Sequence, residues 1–179
     1  MNTPQEYREM EFIELFWALA KLYKPEMYVE LGVKRGYTIR RMAPYVKQAI
    51  GVDITPLELG IENVTMIKST TLEYAATLQG RPEFIDMLFI DADHSRQAVA
   101  ADFNAYLPYV RSGTGLILMH DTHPMSEELT APGYCGDAWM AARRLKESVS
   151  LDWEICTLPG PWAGLSIVRK LTKNHLSWM

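Results

Sequence analysis

Short apolar runs alternate along this chain with segments of helical periodicity, and this alternation restricts the fold more than any other feature. The run at residues 85–90 is apolar enough for a strand buried on both faces of a sheet. Ser95 and Asp137 precede two of the helical segments as candidate N-caps. The predicted strands cover residues 27–31, 49–54, 64–67, 85–90 and 116–119, and the predicted helices cover about 5–23, 36–46, 71–79, 96–107 and 138–148.

Strands that alternate with helices form a parallel sheet with helices on both faces. Two further strands are predicted at residues 153–158 and 165–169, and the Pro-Gly-Pro turn in their connection is too tight for a parallel crossover. We therefore predict a Rossmann-like, doubly wound α/β fold with a mostly parallel sheet and a C-terminal antiparallel hairpin. The chain is expected to form one domain over residues 1–179, with an N-terminal helix in residues 1–24 packed on the core.

Composition and charge restrict the partners that we expect. The 18 basic and 22 acidic residues give a formal charge of −4, and no Lys/Arg run forms the basic surface that nucleic-acid binding needs. The sequence shows neither a membrane span of about 18 apolar residues nor a secretory signal. Cys135 and Cys156 form no CxxC pair and are predicted to be free thiols. We expect a cytoplasmic protein whose partner is a small molecule and which binds neither nucleic acid nor a membrane. Self-association into a homo-oligomer is left open.

A glycine turn follows the first predicted strand, where residues 30–36 read ELGVKRG. Gly32 permits a tight turn and the close approach of a ligand to the backbone, and Gly36 permits close packing at the helix start. Asp53 ends the second strand, where a carboxylate can accept hydrogen bonds from both ribose hydroxyls of a nucleoside. The turn lacks the middle glycine that admits a pyrophosphate. We therefore predict a cofactor with adenosine and without pyrophosphate.

Carboxylates and imidazoles follow two later strands. These groups are Asp91, Asp93 and His94 after one strand, and His120, Asp121 and His123 after the next. Because parallel strands end at the same edge of a sheet, the groups are expected to converge into a divalent-metal site. Carboxylates suit Mg²⁺, whereas imidazole shifts the preference towards Mn²⁺, Zn²⁺ or Fe²⁺. His94 is alternatively a candidate general base. The plainer alternative is that Asp91 and Asp121 cap helices and that the histidines lie at the surface.

The order of these motifs resembles that of class I S-adenosylmethionine-dependent methyltransferases. The pair FIDADH and LMHDT looks like the metal-assisted small-molecule O-methyltransferases of the catechol and caffeoyl-CoA type. It is closer still to the bacterial relatives labelled cephalosporin hydroxylase-like or methyltransferase family 24. The likeness covers about residues 28–122.

The resemblance implies roles for individual residues. The implied cofactor-binding residues are Glu30, Gly32, Val33, Gly36, Asp53, Ile54, Ser69, Thr70 and Asp91. The implied metal ligands are Asp91, His120 and Asp121, and the implied catalytic residues are His94 and Asp91. Plant-type members carry Asp-Asn where this chain has His120 and Asp121, and their Gly-Asp-Ser is replaced here by Lys-Ser-Thr at residues 68–70.

By this resemblance we expect methyl transfer from S-adenosylmethionine to a hydroxyl oxygen of a small molecule. A divalent metal, Mg²⁺ before Mn²⁺, Zn²⁺ or Fe²⁺, would assist, and residues 122–136 would form a lid. One alternative is a non-haem iron hydroxylase that uses Asp91, His120 and Asp121. Another is a cofactor-binding module without catalytic activity.

Overall fold

The computed structural model describes residues 12–148 and 152–172. Its α-helices are α1 (Ile13–Tyr23), α2 (Tyr37–Met42), α3 (Thr71–Thr77), α4 (Arg96–Tyr106) and α5 (Ala138–Glu147). Its strands are β1 (Met27–Leu31), β2 (Gln48–Asp53), β3 (Val64–Lys68), β4 (Met87–Ile90), β5 (Leu116–His120), β6 (Trp153–Leu158) and β7 (Leu165–Lys170). Short 3₁₀ turns occur at Ala43–Tyr45, Leu107–Tyr109 and Glu127–Thr130. The first eleven residues, which include the start of the first predicted helix, lie outside the described residues.

The seven strands form one sheet in the order β3-β2-β1-β4-β5-β7-β6. Strands β1 to β5 pair in parallel, and β7 is antiparallel to both β5 and β6. The predicted doubly wound sheet and its C-terminal hairpin are thus confirmed. The strand order reverses between β1 and β4, so the carboxyl ends of these two strands border the crevice where ligands bind in such sheets.

Two hydrophobic cores cover the two faces of the sheet. Strand β4 shows the division, because Leu88 and Ile90 belong to the core under α3, α4 and α5. Its alternate residues, Met87 and Phe89, belong to the core under α1 and α2. All four side chains are buried, as predicted for this strand, and each buried side chain of this size contributes about 1.5–3 kcal/mol to folding. This packing fixes the strand ends at one edge of the sheet.

The two candidate N-caps behave differently. Ser95 caps α4, because its hydroxyl oxygen accepts a hydrogen bond of 3.2 Å from the Ala98 amide. The prediction that Asp137 caps α5 is wrong, since its side chain makes no capping bond to that helix. Its Oδ1 instead accepts a hydrogen bond of 2.5 Å from the Arg96 amide in α4. Asp137 therefore joins the loop before α5 to the start of α4.

Gly32 has the left-handed conformation expected for the turn, with φ +83°. A Cβ atom at this position would lie 2.3 Å from the carbonyl oxygen of Asp91 and 2.5 Å from Cα of Ala92. The space that the missing side chain leaves is therefore filled by the end of β4. Glycine is needed here so that the turn after β1 can pack on the residues that follow β4.

Of the helices within residues 12–148 and 152–172, none is both long and apolar enough to cross a bilayer. Cys135 is buried and Cys156 is exposed, and both are free thiols as predicted.

Candidate active site

A cavity of about 770 Å³ opens at the carboxyl ends of β1, β2, β4 and β5. Of the residues predicted to form the site, all but Gly36 and His123 line it: Glu30, Gly32, Val33, Asp53, Ile54, Ser69, Thr70, Asp91, Asp93, His94, His120 and Asp121. The prediction that His123 converges with this group is wrong, because its side chain is exposed and does not line the cavity. Gly36 lies at the N-cap of α2 with φ +72°, where a Cβ atom would come within 3.0 Å of the Leu59 side chain. One cleft thus joins both groups of predicted residues.

Asp53 holds the glycine turn in place. Its Oδ2 accepts hydrogen bonds of 2.9 Å from the amides of Val33 and Lys34, and its Oδ1 accepts one of 2.8 Å from the amide of Thr55. Burial alone would raise the pKa of Asp53, but these donors lower it overall. A carboxylate has about four acceptor positions, so the turn uses most of the capacity of Asp53. A ribose hydroxyl would share Oδ1 with the amide and hydroxyl of Thr55.

Glu30 brings a buried carboxyl group to the cavity wall. The side chain is 2% exposed, and its Oε2 accepts a hydrogen bond of 2.7 Å from the Tyr28 hydroxyl. Burial raises the pKa of Glu30 well above its ordinary value, and the charges of Asp91 and Asp53 raise it further against the opposing effect of Tyr28. A cationic ligand group beside Glu30 would favour the ionised carboxylate.

Two carboxylates and two imidazoles, the Asp–His cluster of Asp91, His94, His120 and Asp121, converge at the other end of the cavity. Asp91 Oδ1 lies 3.5 Å from His94 Nε2 and 3.4 Å from His120 Nδ1. Asp121 Oδ2 lies 3.1 Å from His94 Nδ1 and 3.4 Å from His120 Nδ1. Each imidazole therefore contacts both carboxylates. The alternative in which these acids cap helices and the histidines lie at the surface does not describe this arrangement.

Within the Asp–His cluster, the carboxylates raise the pKa of the imidazoles and the imidazoles lower the pKa of the carboxyl groups. Burial alone would lower the pKa of His94, but the neighbouring carboxylates raise it to about 9. Burial is likewise outweighed at His120, whose pKa is raised well above its ordinary value by Asp91 and Asp121. Burial alone would raise the pKa of both carboxyl groups, yet the imidazoles hold both below the ordinary value. All four pKa shifts thus favour charged imidazoles beside charged carboxylates.

The segment of residues 122–136, expected as a lid, supplies contacts that the sequence did not indicate. The backbone carbonyl of Tyr134 accepts a hydrogen bond from His94 Nδ1, and the Cys135 thiol donates one to Asp121. A Cβ atom on Gly136 would lie 2.6 Å from the His94 carbonyl oxygen. The segment therefore packs directly on the Asp–His cluster. Its path depends on tertiary packing, so motif spacing could not have revealed these contacts.

The cluster has suitable donors for a divalent metal. Asp91, His94 and Asp121 each offer one ligand atom, and these atoms lie within 4.8 Å of one another. The resemblance implied His120 in place of His94, and both imidazoles lie within 3.5 Å of both carboxylates. Carboxylate and imidazole together suit first-row divalent ions, and carboxylate alone suits Mg²⁺.

Tyr37, Thr55 and Leu72 also line the cavity and were not predicted. Tyr37 and Leu72 lie in the first turns of α2 and α3. Helices that follow parallel strands begin at the carboxyl edge of the sheet, so this position along the chain was the available signal.

A doubly wound sheet with a ligand-sized cavity at its reversal point, and with acidic groups at four strand ends, defines a Rossmann-like cofactor-binding protein. Residues 29–122 match the model of a methyltransferase-domain family, methyltransferase family 24. This match covers more than half of the 179 residues, and the chain belongs to this family.

Solved methyltransferases share the fold. The methyltransferase PaMTH1 of Podospora anserina, solved with S-adenosylhomocysteine, is 17% identical with a TM-score of 0.69, and the match covers 96% of this chain and 80% of that one. The O-methyltransferase TomG of Streptomyces achromogenes, solved with S-adenosylmethionine, is 18% identical with a TM-score of 0.67. That match covers 96% of this chain and 82% of TomG. At these identities the likeness shows the fold alone.

A curated relative matches part of the chain. The uncharacterized protein R132 of Acanthamoeba polyphaga mimivirus is 35% identical over an alignment of 112 residues, and the match covers 52% of this chain and 50% of that protein. The chain thus spans about half the length of this relative.

Proposed function

We propose that this protein transfers a methyl group from S-adenosylmethionine to a hydroxyl oxygen of a small molecule, with the help of a divalent metal. The observation that carries the proposal is the shared cavity, which Asp53 and the glycine turn line at one end and the Asp–His cluster lines at the other. Membership of methyltransferase family 24 supports the reaction class. The cofactors in the solved PaMTH1 and TomG structures support S-adenosylmethionine.

The cofactor would bind at the turn end of the cavity, in the single domain that we propose for residues 1–179. The proposed contacts are Glu30, Gly32, Val33, Gly36, Asp53, Ile54, Ser69, Thr70 and Asp91. Glu30 suits the cationic amino group of the cofactor, because a nearby positive charge would stabilise its buried carboxylate. Thr70 caps α3 with its hydroxyl, so Ser69 has the hydroxyl that is more readily available to a ligand.

Asp91, His120 and Asp121 would hold the metal, with Mg²⁺, Mn²⁺, Zn²⁺ and Fe²⁺ as candidates. When bound, such an ion supplies Lewis acidity that lowers the pKa of a coordinated hydroxyl. Nδ1 of His94 donates to the Tyr134 carbonyl, so Nε2 is the nitrogen available to accept the hydroxyl proton. Asp91 lies beside that nitrogen and would orient the ring. The ring must lose its own proton before it can act as a base.

Methyl transfer from isotopically labelled S-adenosylmethionine to catechol tests the proposal. The assay compares protein loaded with Mg²⁺ or Mn²⁺, the same protein after treatment with a chelator, and the variant His94→Gln. We expect labelled product that depends on the metal, and a large loss of turnover in the variant with cofactor binding retained. The absence of cofactor binding at sub-millimolar concentration would contradict the proposal.

Two alternatives make different predictions in the same experiments. A non-haem iron hydroxylase would retain iron after anaerobic purification and consume oxygen without methyl transfer. A binding module without catalysis would bind the cofactor and give no product from any acceptor, with or without the Asp121→Asn substitution.

A further inference from the structure

A second cavity of about 590 Å³ lies between the start of α4 and residues 130–137. It shares Ala92, Asp93, His94 and Gly133 with the larger cavity, so the two cavities meet at His94. His94, the proposed base, therefore faces the cofactor cavity and this second space. A methyl acceptor in the second space would have its hydroxyl within reach of the Asp–His cluster.

The second cavity has an acidic wall. Asp93 and Asp137 are exposed and line it, and no lysine or arginine is among its lining residues in the described part of the chain. Residues 130–137, which form one side, contain one aspartate, Asp137, and lack lysine and arginine. Arg96 is close in sequence, but it is exposed and does not line the cavity. Among the described lining residues, His94 is the one basic group in the wall, and the two carboxylates of Asp93 and Asp137 outnumber it. An anionic ligand would therefore meet net repulsion here and a cationic ligand net attraction.

The start of α4 does not offset this charge. A helix N-terminus attracts anions through its unpaired amides. Here the Ser95 amide donates to Asp93 Oδ1 at 2.7 Å, and the Arg96 amide donates to Asp137 Oδ1 at 2.5 Å. The protein's own carboxylates thus already occupy the positions that a ligand phosphate or carboxylate would take.

We infer that this second cavity is the acceptor site and that the acceptor is a hydroxylated amine, positively charged and without an anionic group. The inference rests on the proposed function. The acceptor hydroxyl lies at His94, and the ammonium group lies towards Asp93 and Asp137. Anionic acceptors, such as thioesters of coenzyme A, are disfavoured by the same charges.

Three probes with the same dihydroxyphenyl ring test the charge preference: dopamine, with an ammonium group, neutral ethylcatechol, and anionic dihydroxyphenylacetate. Calorimetric titrations use protein saturated with Mg²⁺ and S-adenosylhomocysteine at low ionic strength. We expect dopamine to bind about 10-fold or more tightly than dihydroxyphenylacetate, with ethylcatechol between them. Salt should reduce this ratio, because it screens exposed charges.

Asp137→Asn and Asp93→Asn test the position of the site. Each asparagine keeps an oxygen that can accept the backbone hydrogen bond at α4 while it removes the charge. Each substitution should lower the ratio of dopamine to dihydroxyphenylacetate affinity about 3- to 10-fold. Glu62→Gln is the control, because this exposed residue precedes β3 at the opposite edge of the sheet. It should leave the ratio unchanged.

Equal affinity for the three probes, a preference for the anion, or failure of all three to bind would overturn the inference. An unchanged ratio in both asparagine variants would also overturn it. These outcomes leave S-adenosylhomocysteine binding intact, whereas loss of that binding in the unmodified protein would overturn the proposed function. The two failures are therefore distinguishable.

Discussion

The two ends of the cleft are built in different ways. At the turn end, backbone groups dominate, because Gly32 packs on β4 and Asp53 binds the amides of Val33 and Lys34. At the cluster end, side chains that are distant in sequence hold one another by charge. The comparison teaches that the turn end depends on shape and the cluster end on ionisation. Substitutions that change shape should therefore matter most at the turn end, and substitutions that change charge should matter most at the cluster end.

Gly32→Ala should have the largest effect, because its Cβ atom would overlap the backbone at Asp91 and Ala92. We expect a loss of at least about 4 kcal/mol in the free energy of unfolding, measured by urea titration. Gly80→Ala is the matched control, with φ +80° and no atom within 4 Å of the added Cβ. Its free energy of unfolding should fall by only about 1–2 kcal/mol, which is the cost of placing an alanine in the left-handed conformation. Equal losses in the two variants would contradict the packing role of Gly32.

Asp121→Asn should lower stability by about 2–3 kcal/mol, because both imidazoles lose a buried negative partner. Asparagine tolerates the φ of +60° at this position, so the change removes charge without backbone strain. Affinity for Mn²⁺, measured by calorimetry, should fall about 10- to 100-fold. Asp121→Ala adds backbone strain and should be less stable than the asparagine variant. Unchanged Mn²⁺ affinity in both variants would refute metal binding at Asp121.

Asp102 shows what a buried carboxylate does without imidazoles, since burial raises its pKa to about 6 even though Thr71 donates a hydrogen bond to it. The folded state therefore binds the proton more tightly than the unfolded state. The stabilising contribution is complete below about pH 4 and is lost as the pH rises through about 6, by about 3 kcal/mol. Urea unfolding across this range should show the loss in the unmodified protein and a flatter profile in Asp102→Asn. Identical profiles would contradict this assignment.

Asp53→Asn should have the smallest effect on folding, about 1 kcal/mol, because one acceptor oxygen at the turn becomes a donor. Affinity for S-adenosylhomocysteine should fall about 5- to 10-fold as the turn loosens. Asp86→Asn is the control, because Asp86 Oδ2 accepts hydrogen bonds from the amides of Glu26 and Met27 at the other end of β1. It should lose similar stability and keep the affinity. If both variants lose affinity equally, Asp53 has no specific role at the cofactor site.

The difference between the two ends also explains what the sequence could predict. Strand and helix periods indicated the sheet, and the sheet brings Glu30, Asp53, Asp91 and His120 to one edge. Residue types at strand ends therefore indicated the cavity wall. The use of Asp53 by turn amides was not predictable, because it depends on the backbone path around Gly32.

Contacts from irregular segments were beyond the reach of motif spacing. Tyr134 reaches His94 through its backbone carbonyl, a group that every residue type carries. Asp137 has the sequence context of a cap for α5, yet it binds the start of α4. Local propensity describes the neighbours of a residue in the chain, whereas these partners are about 40 residues away and are set by tertiary packing.

The most direct test of the shared cleft is NMR of S-adenosylhomocysteine bound to protein that is titrated with Mn²⁺. If the cofactor and the metal occupy the two ends of one cavity, the paramagnetic ion will broaden the resonances of the bound cofactor, and Asp121→Asn will weaken the effect. Cofactor that binds with resonances unaffected by saturating Mn²⁺ would contradict the account.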